Sequence, residues 1–538
     1  MKRFLLITTL VLVNSIMMNI LKVYADETPF KIIYPNLSYS NINISYNSTD
    51  TLDLSDIDCA INGFSLDCEI IRLQNNSFAR VILEDATGKN YLVLENDKYR
   101  NNGDTVKYHG YCEESASLNN IYPKYLKLYL KDAVLKLNSI KYSTTSENSQ
   151  VDYVSDFSNS DTLKKRQITE IVNNINRYNK EHNKLWIAGI TNVSLMDYES
   201  KKRVLGIKND GYDTEGYEYY IDGIFEIGEP DTKDNGVSTN EIEMYSPYVE
   251  SFDWRNRHGI NWMTSCKDQG QSGYCVAFAI TGALEAISNI YYNNKIDLDL
   301  SEQDIVYTYA KQHFIDTISE YYKKGMLEPT ALQGVKSVGV VDEMSVPFID
   351  SPNITVSPQR GDYKECLFFN RYDDVNYYQQ INNIKYDLIN FGPMVGGINA
   401  GETRHAMTLV GYHKIKVGDT ITNVTTEYEG AGIIREGDRR IGQTYWVFKN
   451  SYGENFGRRG YMYVLFADMS KMSKPYYIMT PLQSEQYSDN DIICSDKDGD
   501  GYYFWGFGTK PSHLPKWIPK SRDGDDSNAK YGPMNSYG

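Results

Sequence analysis

Residues 269–291 read QGQSGYCVAFAITGALEAISNIY, a polar turn that runs directly into an apolar segment. Gly270 and Gly273 supply the turn. Val276, Ala277, Ile280, Ala283, Leu284, Ile287 and Ile290 then recur at three- and four-residue steps, the period of a buried helix face. Cys275 therefore opens a helix. There, N–H groups without intrahelical partners and the positive end of the helix dipole favour a thiolate over a thiol. A buried structural cysteine is the plain alternative, and the rest of the chain has to separate the two.

At 538 residues the chain is long enough for about three to four domains. An apolar fraction of 41% suits folded domains, and a net charge of -16 leaves no general basic footprint for nucleic acid. Met1-Lys2-Arg3, the apolar run Phe4 to Leu21, and Val23 and Ala25 before Asp26 make residues 1–25 a secretory signal. An uncleaved membrane anchor is the alternative, weakened by Asn14, Ser15 and Asn19. Export follows, with a secreted, periplasmic or cell-surface location in a bacterium. Of seven cysteines, six remain beside Cys275, and Cys59 and Cys68 are the best candidates for a bridge.

Residues 26–160 read as an antiparallel β-sandwich. In ARVILEDATGKNYLVLEN (79–96) two alternating runs flank Thr87-Gly88-Lys89, and YLKLYLKDAVLKLNSIKYS (125–143) alternates again. Support of a neighbouring domain, carbohydrate binding and adhesion are all open to it. Residues 161–207 turn helical: Leu163, Ile168, Ile171, Val172 and Ile175 are in phase, Asn179 ends the run, and Asp197 caps a second helix. Residues 208–250, rich in Gly, Asp, Glu and Asn with Pro230 and Pro247, read as an exposed connector open to proteolysis.

Two further centres follow. FGPMVGGINAGETRHAMTLVGYHKI (391–415) holds two short strands with His405 opening the second, and YWVFKNSYGENFGRRGYMYVLF (445–466) sets Asn450 in a turn between strands. His405 lies 130 residues beyond Cys275, and Asn450 lies 175 beyond it. This is the order a cysteine hydrolase needs. The histidine takes the thiol proton and later protonates the leaving amine. An asparagine carbonyl can hold its tautomer. Such pairing lowers a thiol pKa from about 8.5 to about 3–4.

CKDQGQSGYCVAFAITGALEAI resembles the active-site segment of papain-like cysteine peptidases; LSEQDIV, RHAMTLVGY and FKNSYGENFGRRGYMYV resemble that family's next three landmarks, in the same order. The resemblance implies a multidomain protein whose residues 251–479 form a papain-like α+β domain, a helical half plus a β-barrel half. It makes Cys275 the nucleophile, His405 the base and acid, and Asn450 its orienting group. Gln269 becomes the side-chain donor of the oxyanion hole, with the Cys275 N–H as the other. The implied protein is a thiol endopeptidase of proteins or peptides, without a catalytic cofactor, made as a zymogen. Ile168, Ile171, Ile175 and Asn179 resemble the long helix of the family's propeptides, and 189–193 the segment after it. Residues 161–207 would then inhibit Cys275 until 208–250 is cut.

The departures mark a divergent member. Ser272-Gly273-Tyr274-Cys275-Val276 lacks one half of a familiar disulfide, and Lys323 stands near the other half. Met326 follows Gly325 where a Gly-Gly substrate wall would continue, Tyr452 replaces a shielding tryptophan, and 414–443 is a polar insertion. His258, His313 and His413 have no chemical neighbours in sequence and read as structural. The contrasting reading is an inactive peptidase-like surface protein whose β-sandwich and tail bind a ligand.

In the tail, residues 480–538, Asp496, Asp498 and Asp500 alternate before Gly501, a spacing of hard oxygen ligands that suits structural calcium. Phe507 at the twelfth position rules out an EF-hand, and Asp523, Asp525 and Asp526 offer a second acidic loop. The pattern resembles the Asp-rich repeats of thrombospondin type 3 and dockerin-like modules, as on exported peptidases of Bacteroidetes-like bacteria. A solvated acidic turn is the alternative. Trp505, Trp517 and Pro511, Pro515 and Pro519 suggest a wrapped unit.

Overall fold

A computed structural model describes residues 32–33, 44–96, 98–111, 118–144, 160–228, 246–296, 298–313, 318–356, 363–364, 368–371, 377–421, 433–478, 492–507 and 509–538. The expected signal at 1–25 lies outside the described residues, as do residues 229–245 of the expected connector. The chain divides into two compact units, Met1–Gln167 and Ile168–Gly538.

In the first unit, strand Ala133–Thr144 pairs with Ile32–Ile33, Ile44–Tyr46 and Ile61–Arg72, which pairs in turn with Thr105–Tyr111. A second antiparallel sheet runs Asp50–Asp53, Pro123–Lys131, Phe78–Asp85, Asn90–Asn96. Alternation sends Leu66, Cys68 and Ile70 of one sheet and Val81, Leu83, Leu126 and Leu128 of the other into a single apolar cluster. In the hairpin after Phe78–Asp85, Gly88 takes φ 86° and the Asp85 carboxylate accepts from Thr87 N and Lys89 N. The expected Cys59–Cys68 bridge is absent: both are free thiols. Cys68 lies seven residues beyond Ile61, the first residue of the strand that begins after Cys59. At about 3.3 Å per residue, that places it some 20 Å away, far beyond disulfide reach.

The second unit is built on the helix Cys275–Tyr291, buried from Val276 to Ile290 and packed on strand Thr403–Lys414. That strand is central in a sheet ordered Phe225–Ile227, Tyr461–Phe466, Thr444–Lys449, Thr403–Lys414, Met394–Ala400, Met472–Ile478, Phe368–Arg371. Ser251–Asp253 pairs with it as well. Helices Glu302–Gln312 and Glu328–Val338 pack on the other flank; the Ser301 hydroxyl caps the first by accepting from Asp304 N at 2.9 Å.

A buried charge cluster ties the turn before Cys275 to these helices. Lys267 Nζ donates to Glu285 Oε1 at 3.1 Å, Glu302 Oε1 at 2.9 Å and the Leu300 carbonyl at 2.9 Å. Burial pushes the Glu302 carboxyl up to about 7 against the pull of Lys267. Glu302 of the LSEQDIV landmark therefore serves the framework.

Helix Ser160–Glu181 runs on past Asn179, whose carboxamide donates to the Trp186 carbonyl; Asn176 bonds both the N–H and the carbonyl of Ala188. Asp197 caps helix Tyr198–Val204 through Ser200 N, as expected. Residues 208–228 overturn the reading of an exposed connector. Tyr212, Tyr217, Tyr219, Tyr220, Phe225 and Ile227 are buried, and Tyr220–Gly223 pairs with Trp186–Ala188. One of the glycines that suggested looseness makes a close approach instead. Gly223, at φ 88°, would put a Cβ 2.2 Å from the Leu185 carbonyl.

The tail is anchored to the same unit. Asn293 Nδ2 donates to the carbonyls of Ile493 and Phe504, and Phe504 stacks on His258 at 3.5 Å. Trp505 is buried, while Trp517 is exposed.

Candidate active site

Cys275 is the first residue of its helix; the N–H groups of Ala277 and Phe278 reach back to the Tyr274 carbonyl. Its sulfur receives the backbone N–H of Ala406, which places it against the residue after His405. His405 is buried on the central strand with Nε2 at 2.7 Å from Asn450 Oδ1. Two further bonds fix the Asn450 amide: Oδ1 accepts from Ser451 N at 2.7 Å, and Nδ2 donates to the Tyr217 hydroxyl at 3.1 Å. With that oxygen facing the ring, Nε2 carries the imidazole proton and Nδ1 keeps the basic lone pair.

Gln269 is buried beside the helix start. Its Oε1 accepts from the Ser451 hydroxyl at 2.5 Å and its Nε2 donates to the Ser272 carbonyl at 2.6 Å, leaving one amide N–H free of that bond. Tyr452 stacks on His405 with centroids 4.5 Å apart, so the ring that replaces tryptophan still shields the His405–Asn450 bond. Ser451 and Tyr217 complete the network. Sequence reasoning missed both, because Tyr217 sits among Gly and Glu in a stretch without period.

The segment 185–228 reaches over these groups. Asn192 Nδ2 donates to the Tyr452 carbonyl at 3.0 Å, and the Tyr452 hydroxyl lies 2.9 Å from the Val204 carbonyl and 3.1 Å from His405 Nδ1. One hydroxyl hydrogen serves only one of these at a time. Ser200 and Arg203 bond Gln271, and the Leu205 carbonyl accepts from Arg404 N. The polar insertion holds this segment from behind. Ile415, Ile421 and Ile434 share a cluster with Leu185 and Ile224, and Arg440 bonds Glu226 at 2.7 Å and the Asn183 carbonyl at 2.6 Å.

This enclosure sets the protonation state. Burial pushes the Cys275 thiol up to about 12 and the His405 imidazole down to about 4, the latter against the opposing pull of Asn450. The pair therefore rests as neutral thiol and neutral imidazole, the reverse of the ion pair that attacks a carbonyl. Cys275 keeps partial surface access, so the cover is close but not sealed.

Backbone packing positions His405 as tightly as its hydrogen bonds do. Gly397 lies opposite Ala406 on Met394–Ala400, and a Cβ there would fall 2.0 Å from the His405 carbonyl. Gly397→Ala is expected to shift His405 and lower kcat by about tenfold with the fold kept, because displacements near 1 Å cost up to about 100-fold. Steady-state kinetics with circular dichroism check this.

The remaining sequence candidates separate. Asp496, Asp498 and Asp500 bring carboxylate oxygens within 4.8 Å of one another. Asp525 and Asp526 are instead spent on protein contacts: Asp525 Oδ1 accepts from His258 N, and Asp526 bonds Lys497 N and the Ser495 hydroxyl. His258 accepts from Asp526 N, His413 bonds Asp419 at 2.9 Å, and His313 bonds the Tyr309 carbonyl. All three are structural. Gly325 would put a Cβ 3.0 Å from the Gly273 carbonyl, so the glycine beside Met326 holds a close approach to the active-site turn.

A cysteine at a helix start, a histidine on the facing strand and an asparagine fixing its tautomer define a thiol-hydrolase site. The profile of the papain family cysteine proteases matches residues 248–478. These residues form a papain-family cysteine peptidase domain. Among relatives, viral cathepsin of Spodoptera exigua nuclear polyhedrosis virus is 30% identical over 227 residues, covering 40% of this chain and 56% of the relative. Viral cathepsin of Adoxophyes honmai nucleopolyhedrovirus is 26% identical over 238 residues, 41% of this chain and 58% of the relative. The chain thus spans little more than half the length of these relatives. The structure of digestive procathepsin L2 proteinase from Tenebrio molitor larval midgut aligns at 18% identity and a TM-score of 0.38, covering 62% of this chain and 96% of that one.

Proposed function

We propose that this protein is an exported cysteine endopeptidase made as a latent precursor, in which residues 168–228 inhibit the site they cover. One observation carries the catalytic reading: His405 Nε2 bonds Asn450 Oδ1 at 2.7 Å on the strand whose next N–H, from Ala406, reaches the Cys275 sulfur. Once uncovered, His405 Nδ1 takes the thiol proton and the thiolate attacks the scissile carbonyl. The Cys275 N–H and a Gln269 amide N–H steady the oxyanion. The imidazolium then protonates the departing amine, and water, activated by the freed imidazole, releases the acyl group.

Latency is supported by Tyr217 on Asn450 and by the Val204 carbonyl on the Tyr452 hydroxyl. The reading of 1–25 as a signal supports export, and the sheets of the first unit suit a β-sandwich accessory domain that supports the peptidase. An inactive ligand-binding protein is disfavoured, since such a protein has no need for Cys275, His405, Asn450 and Gln269 together. Because 208–228 is buried and paired, processing is expected within residues 229–245, a narrower window than the 208–250 that composition suggested. N-terminal sequencing of the matured protein, with a fluorogenic peptide assay before and after processing, tests this. A new terminus in that window that coincides with onset of activity is expected. Full activity in chain that still holds 168–228 would sink latency.

A further inference from the structure

We propose that Asp496, Asp498 and Asp500, closed by Asp523, hold a calcium-class divalent cation that fastens the C-terminal segment to the far end of the helix carrying Cys275. Three carboxylates close together are not enough, since such groups are common on surfaces. The independent observation is Asp523. It is fully buried, its Oδ2 has no hydrogen-bond partner, and the strongest charges acting on it are the carboxylates of Asp500, Asp498 and Asp526. Asp498 Oδ2 is likewise enclosed without a partner.

The two acidic loops are adjacent: Asp523 N donates to the Tyr503 carbonyl, Gly524 N donates to the Gly532 carbonyl, and Asp500 Oδ2 lies 3.7 Å from where a Cβ on Gly532 would be. A buried carboxylate oxygen with neither donor nor cation is strongly disfavoured. A hard divalent ion supplies what is missing. Calcium accepts six to eight oxygens in flexible geometry, so carboxylates from two loops, with carbonyls and water, suit it better than the strict octahedron of magnesium.

The position gives the ion a task. Next to Asp500, Phe504 stacks on His258, and Gly506 would put a Cβ 2.2 Å from the carbonyls of Ile290 and Tyr291, at the end of the central helix. A cation that orders these loops therefore braces the helix from the end opposite Cys275.

The test uses the full chain carrying Cys275→Ala, stripped with chelator and titrated with calcium by calorimetry and with terbium by luminescence. One saturable site per chain is expected, with a higher Tm in calcium. Asp523→Asn and Asp498→Asn should each weaken binding at least tenfold, and Glu320→Gln, an exposed charge on Ser319–Lys324, should leave it unchanged. No saturable calcium binding by the parent chain overturns the proposal, as does unchanged affinity in Asp523→Asn with native circular dichroism. If Asp523→Asn does not fold, Asp498→Asn and the parent titration decide. None of these readouts depends on peptidase activity, so the proposal stands or falls apart from the catalytic reading.

Discussion

Cys275→Ala in the processed protein is expected to lower peptide hydrolysis by at least about 10⁴-fold, because triad members act as a unit and losing the nucleophile forfeits nearly all of it. Labelling by an epoxysuccinyl inactivator should vanish in the same variant. The other described thiols make poor decoys: burial pushes Cys266 up to about 11 and Cys68 up to about 12, and raises the half-buried Cys59 and Cys494 above the usual thiol range. In the covered precursor Cys275 itself is held up to about 12, so labelling should be slow before processing and fast afterwards. Mass spectrometry of the labelled peptide, precursor against processed, checks both parts. Labelling that persists at full rate without Cys275 sinks its assignment as nucleophile.

The proposed reacting residues are legible because the chemistry proposed for them forces local pattern. A nucleophile at a helix start needs a glycine turn followed by a 3.6-residue period, and 269–291 displays both. His405 and Asn450 each mark the edge of an apolar strand, and period-two runs are easily read. The cover was half legible. The helix about Ile168–Ile175 has a clear period, but 208–228 does not, and its glycines and acidic residues mimic a solvated connector. There the fold is set by tertiary contacts: Tyr217 packs against His405, Tyr452 and Phe456, and Glu226 meets Arg440, 214 residues away in sequence. Residue type carries no trace of such pairings. The same holds for the insertion, whose isoleucines look scattered until Leu185 and Ile224 are brought beside them. In the tail, spacing marked all six aspartates alike. Only the hydrogen bonds separate Asp525 and Asp526, which are engaged by His258, Ser495 and Lys497, from Asp523, whose Oδ1 accepts from Asp525 N in its own loop while its Oδ2 has no partner.

Acidification is expected to release the cover. His405 in the covered site is held down to about 4, against an ordinary value of about 6.5. Between these values an exposed imidazole binds a proton and the covered one does not, so the covered form loses stability as pH falls. This contribution is fully present above about pH 6.5 and is gone near pH 4, a change of about 3.4 kcal/mol, or about 300-fold in population. The groups facing His405 do not cancel it. Tyr217 and Tyr452 have raised pKa values and stay neutral throughout this range, and Cys275, whose thiol proton would pass to His405 on uncovering and offset the uptake, is absent from the Cys275→Ala chain used in the test. Glu328, the carboxyl acting on Cys275, is raised by burial and acts with the opposite sign, so it reduces the effect. Protonation also reverses what the site holds, because an imidazolium offers a hydrogen at Nδ1 where the Tyr452 hydroxyl now lies within bonding distance. The tyrosine must then accept from His405 while donating to Val204, an arrangement that favours the charged ring but leaves it buried and without a counter-ion. Limited proteolysis of the Cys275→Ala precursor across pH 4–7 measures release directly. Cleavage within 168–228 should rise as pH falls from about 6.5. His405→Gln, which retains a donor for Asn450 but cannot gain a proton, should flatten that rise. An unchanged profile in His405→Gln, or release that grows as pH rises through this range, would exclude His405 as the trigger.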